Sequence, residues 1–322
     1  MMPKNKKQKI VLFLLFFMLF SCTKIIEIDF PKQEPKLVVN SLFTNDSIFK
    51  INVSQTTNFN QSSVKFIPDA EIILSEENND IVSQFEYTGN GIYKSINGYK
   101  PVLNKKYKIE INHPELGQIK SSNKIPVSPN ILLINKRDSV FTDEDGYYMS
   151  EADITIQDNP NEKNWYEFEL TAYYYDDYSG IPGYGDSNQI DTVPHKRTLY
   201  ITSNDIVLTN EGLTDYYPSY YPLSDTLFNG LTYTLKLQYL PPQDILGIND
   251  AEYNLAKNYK LTVTVRSVTE EYYKYRKKLI IHLENQSGDV WDGMGNPVQM
   301  YSNIEGGYGI FAGYSSFTDT IP

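Results

Sequence analysis

Three segments in the second half of the chain alternate apolar and polar residues with a period of two. Tyr166, Phe168, Leu170, Ala172 and Tyr174 share one parity, with Glu167, Glu169 and Thr171 between them. Leu231, Tyr233, Leu235, Leu237 and Tyr239 alternate with Thr232, Thr234, Lys236 and Gln238. Tyr259, Leu261, Val263 and Val265 do the same against Lys260, Thr262, Thr264 and Arg266. Successive side chains of a strand point to opposite faces, so each run predicts one face on a core and one in water. The first half holds shorter runs: Leu37-Val38-Val39, Ile48 to Val53, Ala70 to Leu74, Ile81 to Tyr87, then Tyr107, Ile109 and Ile111 between polar residues. Turn signals at Glu77 to Asp80 and at Gly89-Asn90-Gly91 separate them. The pattern predicts a mainly β chain of two antiparallel, Ig-like β-sandwich domains. Pro126 and Pro129 mark the boundary, giving an N-terminal sandwich over 36–126 and a C-terminal β-rich domain over 127–322.

One helix is expected in the second domain, over 268–284. Ser267-Val268-Thr269-Glu270 fits a capping box, in which the serine oxygen takes an amide proton and the glutamate reaches back. Tyr272, Tyr275, Leu279, Ile280 and Leu283 form its apolar stripe, while Lys274, Arg276, Lys277 and Lys278 fall off it, where their charges can stay in water.

The N-terminal end constrains where such a chain resides. Lys4, Lys6, Lys7 and Lys9 precede an apolar core of eleven residues, Ile10 to Phe20, too short to span a bilayer as a helix and therefore a secretory signal. Leu19, Phe20, Ser21 and Cys22 close it as a bacterial lipobox, with Cys22 the lipidation site and the only cysteine. Residues 1–21 are read as a lipoprotein signal peptide and 22–35, with Pro31 and Pro35, as a lipidated tether. Loss of four lysines with the signal moves the formal net charge from −11 to −15. An acidic chain repels nucleic acid and gains nothing from an anionic membrane, so anchoring falls to acyl chains on Cys22. With its one cysteine lipidated, no internal disulfide can form, and stability must come from apolar cores. Glu27 and Asp29 shortly after Cys22 resemble the surface-export signals of Bacteroidota lipoproteins, with isoleucines interposed.

Catalytic signatures are sparse. His113, His195 and His282 lie in three separate segments outside any metal-binding motif and read as surface histidines. Gly185-Asp186-Ser187 lacks the strand-to-helix context of a nucleophile elbow. Asp143-Glu144-Asp145-Gly146 suggests calcium. Placing Gly146 at the sixth position of an EF-hand loop, however, puts Phe141 where an acid is required, so a solvated acidic turn is the plainer reading. No metal and no cofactor is expected. Tyrosine is the unusual residue, at 27 copies. Tyr173, Tyr174, Tyr175 and Tyr178 run into a loop with Tyr184, and Tyr217, Tyr220 and Tyr221 lie in a second loop beside Pro218 and Pro222. Loop tyrosines give large, rigid, amphipathic contact area, so these eight are candidate interface residues, with packing on their own domain as the alternative.

The segment from Asn296 to Tyr314, Asn-Pro-Val-Gln-Met-Tyr-Ser-Asn-Ile-Glu-Gly-Gly-Tyr-Gly-Ile-Phe-Ala-Gly-Tyr, resembles the ending of the DUF4249 lipoproteins of Bacteroidota. Pro35 to Asn40, Pro68 to Ile72, Asn229 to Tyr233 and Val268 to Tyr275 agree in order. The resemblance implies an outer-membrane lipoprotein encoded beside TonB-dependent receptors, hence a β-barrel partner, and offers no catalytic residues to transfer. Physically, Gly306, Gly307, Gly309 and Gly313 permit positive φ and close backbone approach, which suits a buried closing segment; a ligand-cradling loop is the sharper alternative. The expectation is a non-enzymatic outer-membrane lipoprotein, surface-exposed, that assists a TonB-dependent receptor in nutrient uptake. Its rivals are a free-standing glycan- or peptide-binding module and a carboxylate-based hydrolase.

Overall fold

The computed structural model describes residues 34–58, 63–78, 80–175, 195–242, 259–287 and 298–322. Cys22, its signal and most of its tether lie outside them, as do Tyr178 and Tyr184. In chain order the strands are β1 (Leu37–Thr44), β2 (Lys50–Gln55), β3 (Lys65–Phe66), β4 (Glu71–Glu76), β5 (Ile81–Gly89), β6 (Ile92–Ser95), β7 (Lys106–His113) and β8 (Gly117–Lys124). There follow β9 (Ile131–Thr142), β10 (Tyr148–Gln157), β11 (Trp165–Tyr174), β12 (His195–Thr198), β13 (Tyr221–Ser224), β14 (Thr232–Tyr239), β15 (Tyr259–Val268) and β16 (Tyr308–Ile321). Among the described residues the α-helices are the short α1 (Ile206–Thr209) and the long α2 (Glu270–Ser287), which separates β15 from β16.

The mainly β, sandwich-like reading holds. Most strands belong to one sheet ordered β12-β11-β15-β16-β1-β2-β6-β5-β4-β7-β8, with β13 on β11 and β3 on β2, while β14-β10-β9 forms a second sheet. The alternating runs become the buried faces. Tyr107, Ile109 and Ile111 of β7 line a first core with Val39, Phe43 and Ile51. Phe168, Leu170, Leu235, Leu237, Val263 and Val265 line a second, between β11/β15 and the smaller sheet. The long β9–β10 hairpin, which completes that second sheet, was not singled out in the sequence.

The closing strand joins the two halves. β16 pairs antiparallel with β15 and parallel with β1, in register Val38↔Tyr308 through Thr44↔Tyr314. A parallel pair needs a long crossover, and here most of the chain lies between the two strands. Phe311 enters the first core, its ring centroid 4.5 Å from that of Phe43, and Ile321 enters the second. The expected division at 126/127 is therefore crossed by a strand that contributes to both cores. The glycines make this possible. At Gly309, with φ +110°, a Cβ would lie 1.9 Å from the Val39 carbonyl oxygen; at Gly313 it would lie 2.1 Å from that of Lys124. These are positions of close backbone approach inside the fold, as a buried closing segment requires.

One smaller expectation needs correction, and the acidic turn at Asp143 is as expected. His113 is not a free surface histidine: its side chain is buried, Nδ1 accepts the amides of Glu115 and Leu116 at 3.1 Å each, and Nε2 lies 3.2 Å from Asp69. Asp143 in the β9–β10 turn spends Oδ1 on the amides of Asp145 and Tyr147, at 3.1 and 2.8 Å, which makes it a turn-forming carboxylate.

Candidate functional site: a groove beside a clamped helix

The helix α2 follows β15 directly, and its cap sits two residues beyond the sequence-based position. Ser267 is still in the strand and buried; Thr269 is the N-cap, its Oγ1 accepting from the Tyr272 amide at 3.5 Å. The helix then lies on the outer face of the large sheet, where Tyr272 packs with Val268, Ile310 and Ala312.

This placement overturns the expectation that Glu167 and Glu169 face water and that the helix cations stay on the wet side. Both parities of β11 are buried, and Glu167 is 0% exposed. Its carboxylate accepts from the Tyr272 hydroxyl at 2.8 Å, Arg266 Nη1 at 3.1 Å and Arg276 Nη2 at 3.4 Å, and the Arg276 Nε lies 2.8 Å from its other oxygen as an ion pair. Arg266 also pairs with Glu169. The Arg276 guanidinium lies between two rings, 4.6 Å from the Tyr220 centroid and 5.4 Å from that of Tyr272. Burial, then the Glu167 carboxylate, pushes the Tyr272 hydroxyl well above the ordinary tyrosine range. Further along, Glu211 accepts from the Ser224 amide at 2.8 Å, from Tyr273 and from Lys277 at 2.7 Å. Burial, then the bond to Glu211, likewise raises Tyr273. An ion pair with one member fully buried fixes geometry more than it adds net stability. Here it fixes the register of α2 on the sheet.

With the helix held, its flank and the segment leading into β16 enclose a groove of about 670 Å³. Tyr273, Ile281, Met300, Tyr301 and Tyr308 supply ring and aliphatic surface, while Lys274, Lys277 and Lys278 supply the charged rim. Lys274 stands 5.7 Å from the Tyr301 ring centroid and also pairs with Glu270 at 2.9 Å. The volume lies in the range of small-ligand clefts, and its mixture of apolar wall and few polar groups suits them. A second hollow of about 390 Å³ lies under the first turn of α2, between Lys124, Glu162, Trp165 and Glu271. Among the described residues, no group of three or more His, Cys, Asp or Glu is placed to hold a metal ion.

A family model described as a domain of unknown function, DUF4249, matches residues 23–320. The chain belongs to the DUF4249 family. No curated protein matches it. Among solved structures, a crystal structure of a Salmonella alpha-2-macroglobulin mutant matches at 11% identity and a TM-score of 0.23, over 75% of this chain and 14% of that one. That likeness carries no argument about function.

In this DUF4249 chain the tyrosines singled out by sequence separate into distinct roles. Tyr221 is a core residue, 0% exposed, its hydroxyl donating to the Leu208 carbonyl at 2.9 Å. It cannot serve as an outward anchor, because β13 pairs with β11 and carries it inward. Tyr220 is half-buried beneath Arg276 and belongs to the clamp. Tyr217 is 59% exposed and Tyr175 50% exposed, so these two rings do face solvent. Tyr173 and Tyr174 lie partly buried at the end of β11, Tyr174 stacked 5.6 Å from His195. None of the six described ones lines the groove, whose tyrosines are Tyr273, Tyr301 and Tyr308. Tyr301 and Tyr308 stand in the family-specific segment, the one sequence signal that pointed here.

Proposed function

We propose that this chain is a non-enzymatic, lipid-anchored binding protein of the outer membrane, facing the exterior, that serves a TonB-dependent barrel in nutrient uptake. The observation that carries the reading is the groove beside α2: it is held open by the buried Glu167–Arg276 clamp and presents rings and ammonium groups, which hold a ligand. The lipobox at Cys22 supports the anchor, and no described helix is long and apolar enough to cross a membrane itself. The barrel partner rests on what the resemblance to DUF4249 lipoproteins implies about neighbouring genes.

The test is purification of the tagged protein from outer membranes in a mild detergent. A barrel protein at near-equal amount is expected, and Cys22→Ser should abolish fatty-acid labelling and release the chain from the membrane fraction. Recovery of the lipidated chain with no barrel would overturn the accessory role, and undiminished label in Cys22→Ser would overturn the anchor.

A further inference from the structure

The charge balance of the groove points to the class of ligand it takes. Three lysines reach its rim, and two are already matched. Lys274 pairs with Glu270 at 2.9 Å and Lys277 with Glu211 at 2.7 Å. Glu271, the next acid of the helix, accepts from Asn123 at 2.8 Å, and its charge is also felt by the Tyr301 hydroxyl. Lys278 is exposed and has no carboxylate partner among the described residues. Among the described residues the groove therefore offers one ammonium group without a carboxylate partner beside apolar walls, in a chain whose formal net charge is −11. An ammonium group at the lip of an apolar cleft attracts an anion and repels a cation, and the cleft itself rewards burial of an apolar body.

The body has a defined seat. Tyr301 and Tyr308 come from the segment entering β16, and Tyr273 and Ile281 from the facing flank of α2. Three cations already lie within 6 Å of these rings, Lys277 at 5.3 Å from Tyr273, Lys274 at 5.7 Å from Tyr301 and Lys36 at 5.6 Å from Tyr308. A ring with a cation near one face keeps its opposite face and its edges to meet a flat apolar group. We propose that the groove binds a small amphipathic monoanion: an apolar or aromatic body carrying one carboxylate, with the body between Tyr301 and α2 and the carboxylate on Lys278. This rests on the groove being the ligand site; it adds the charge and shape of what enters.

The probe is 2-naphthoate, with 2-naphthamide as its neutral counterpart, titrated calorimetrically into the full lipidated chain in phosphatidylcholine nanodiscs, with empty nanodiscs subtracted. One naphthoate per chain is expected, bound about tenfold more tightly than the amide, as one charge-assisted hydrogen bond provides. Lys278→Gln should remove that preference and leave amide binding unchanged. Tyr301→Ala should weaken both ligands, and Lys50→Gln on the distant β2 should change neither. Equal binding of naphthoate and amide, or a preference that survives Lys278→Gln, would overturn the assignment. So would absence of any binding by a chain with an unchanged circular-dichroism spectrum. Barrel co-purification separates the two claims: a barrel retained without naphthoate binding sinks the ligand class alone, and naphthoate binding without a barrel sinks the accessory role alone.

Discussion

Removing Arg276 should loosen the helix on which the groove depends, and the cost follows from the surroundings of Glu167. That carboxylate is 0% exposed and has three donors: the Tyr272 hydroxyl, Arg266 and Arg276. Arg276→Met retains much of the apolar stem and withdraws one of two cations from a buried anion. Breaking a buried pair in this way costs about 3–5 kcal/mol. Because Arg266 stays within 3.1 Å, although shared with Glu169, the lower end applies, about 3 kcal/mol. Glu167→Gln leaves two arginines whose side chains are 17 and 19% exposed and can turn toward water, so about 2 kcal/mol is expected. In the double variant neither member of the pair is left charged against a missing partner. Its loss should fall about 2 kcal/mol short of the sum of the singles, as coupled neighbours do. Urea unfolding at pH 7, followed by circular dichroism, measures all four states of the cycle. Additive losses, or an Arg276→Met variant within about 1 kcal/mol of the parent, would refute the clamp.

Three further outcomes follow from the same geometry. Gly309→Ala should cost about 4 kcal/mol or prevent folding, because its Cβ would strike the Val39 carbonyl at a φ of +110°; Gly146→Ala, with φ +89° and open space, should cost only about 1 kcal/mol, and thermal melts compare the two. Residues 36–126 expressed alone should fail to melt cooperatively, since Phe311, Ile304 and the β16 pairing on β1 are missing, and a peptide spanning 303–321 added in trans should restore structure. Asp225 is 1% exposed, with one oxygen on the Asn164 amide at 2.6 Å and the other without a hydrogen-bond partner; burial, with Asp158 nearby, holds its carboxyl above the usual carboxylate range. A raised folded-state value means that its contribution to stability is complete below about pH 4 and is lost as pH rises through that value. Asp225→Asn should flatten that part of the stability–pH profile and raise stability at pH 7 by about 1 kcal/mol, measured by denaturant midpoints from pH 3 to 8.

The strands were legible wherever one face was apolar and the other polar. β7, β14 and β15 carry that alternation and landed with Ile109, Leu235 and Val263 inward. β11 shows where the rule runs out. Its polar parity, Glu167, Glu169 and Thr171, reads as a solvent face, but α2 covers part of it, and Arg276 of that helix with Arg266 of β15 supplies the counter-charges. Period two reports which residues share a face and says nothing of what lies over it. The same gap explains the helix cations. Arg276 and Lys277 fall off the apolar stripe, yet their long stems reach back to carboxylates on β11 and beside α1. Tyr221 was misjudged for a related reason: proline on both sides suggested a stiff loop, whereas β13 pairs with β11 and Pro222 occupies a peripheral strand. The closing segment was recognised by its glycines, whose purpose, close approach of two backbones, became visible only once β1 and Lys124 were placed beside it.

The proposal that the groove beside α2 is this chain's ligand site is tested most directly by a crystal structure of the protein grown with 2-naphthoate. The account predicts one ring system between Tyr301 and the helix, its carboxylate within hydrogen-bonding distance of the Lys278 ammonium, and α2 unmoved on Glu167. Naphthoate seated elsewhere with this groove empty, or a groove closed by its own side chains, would contradict it.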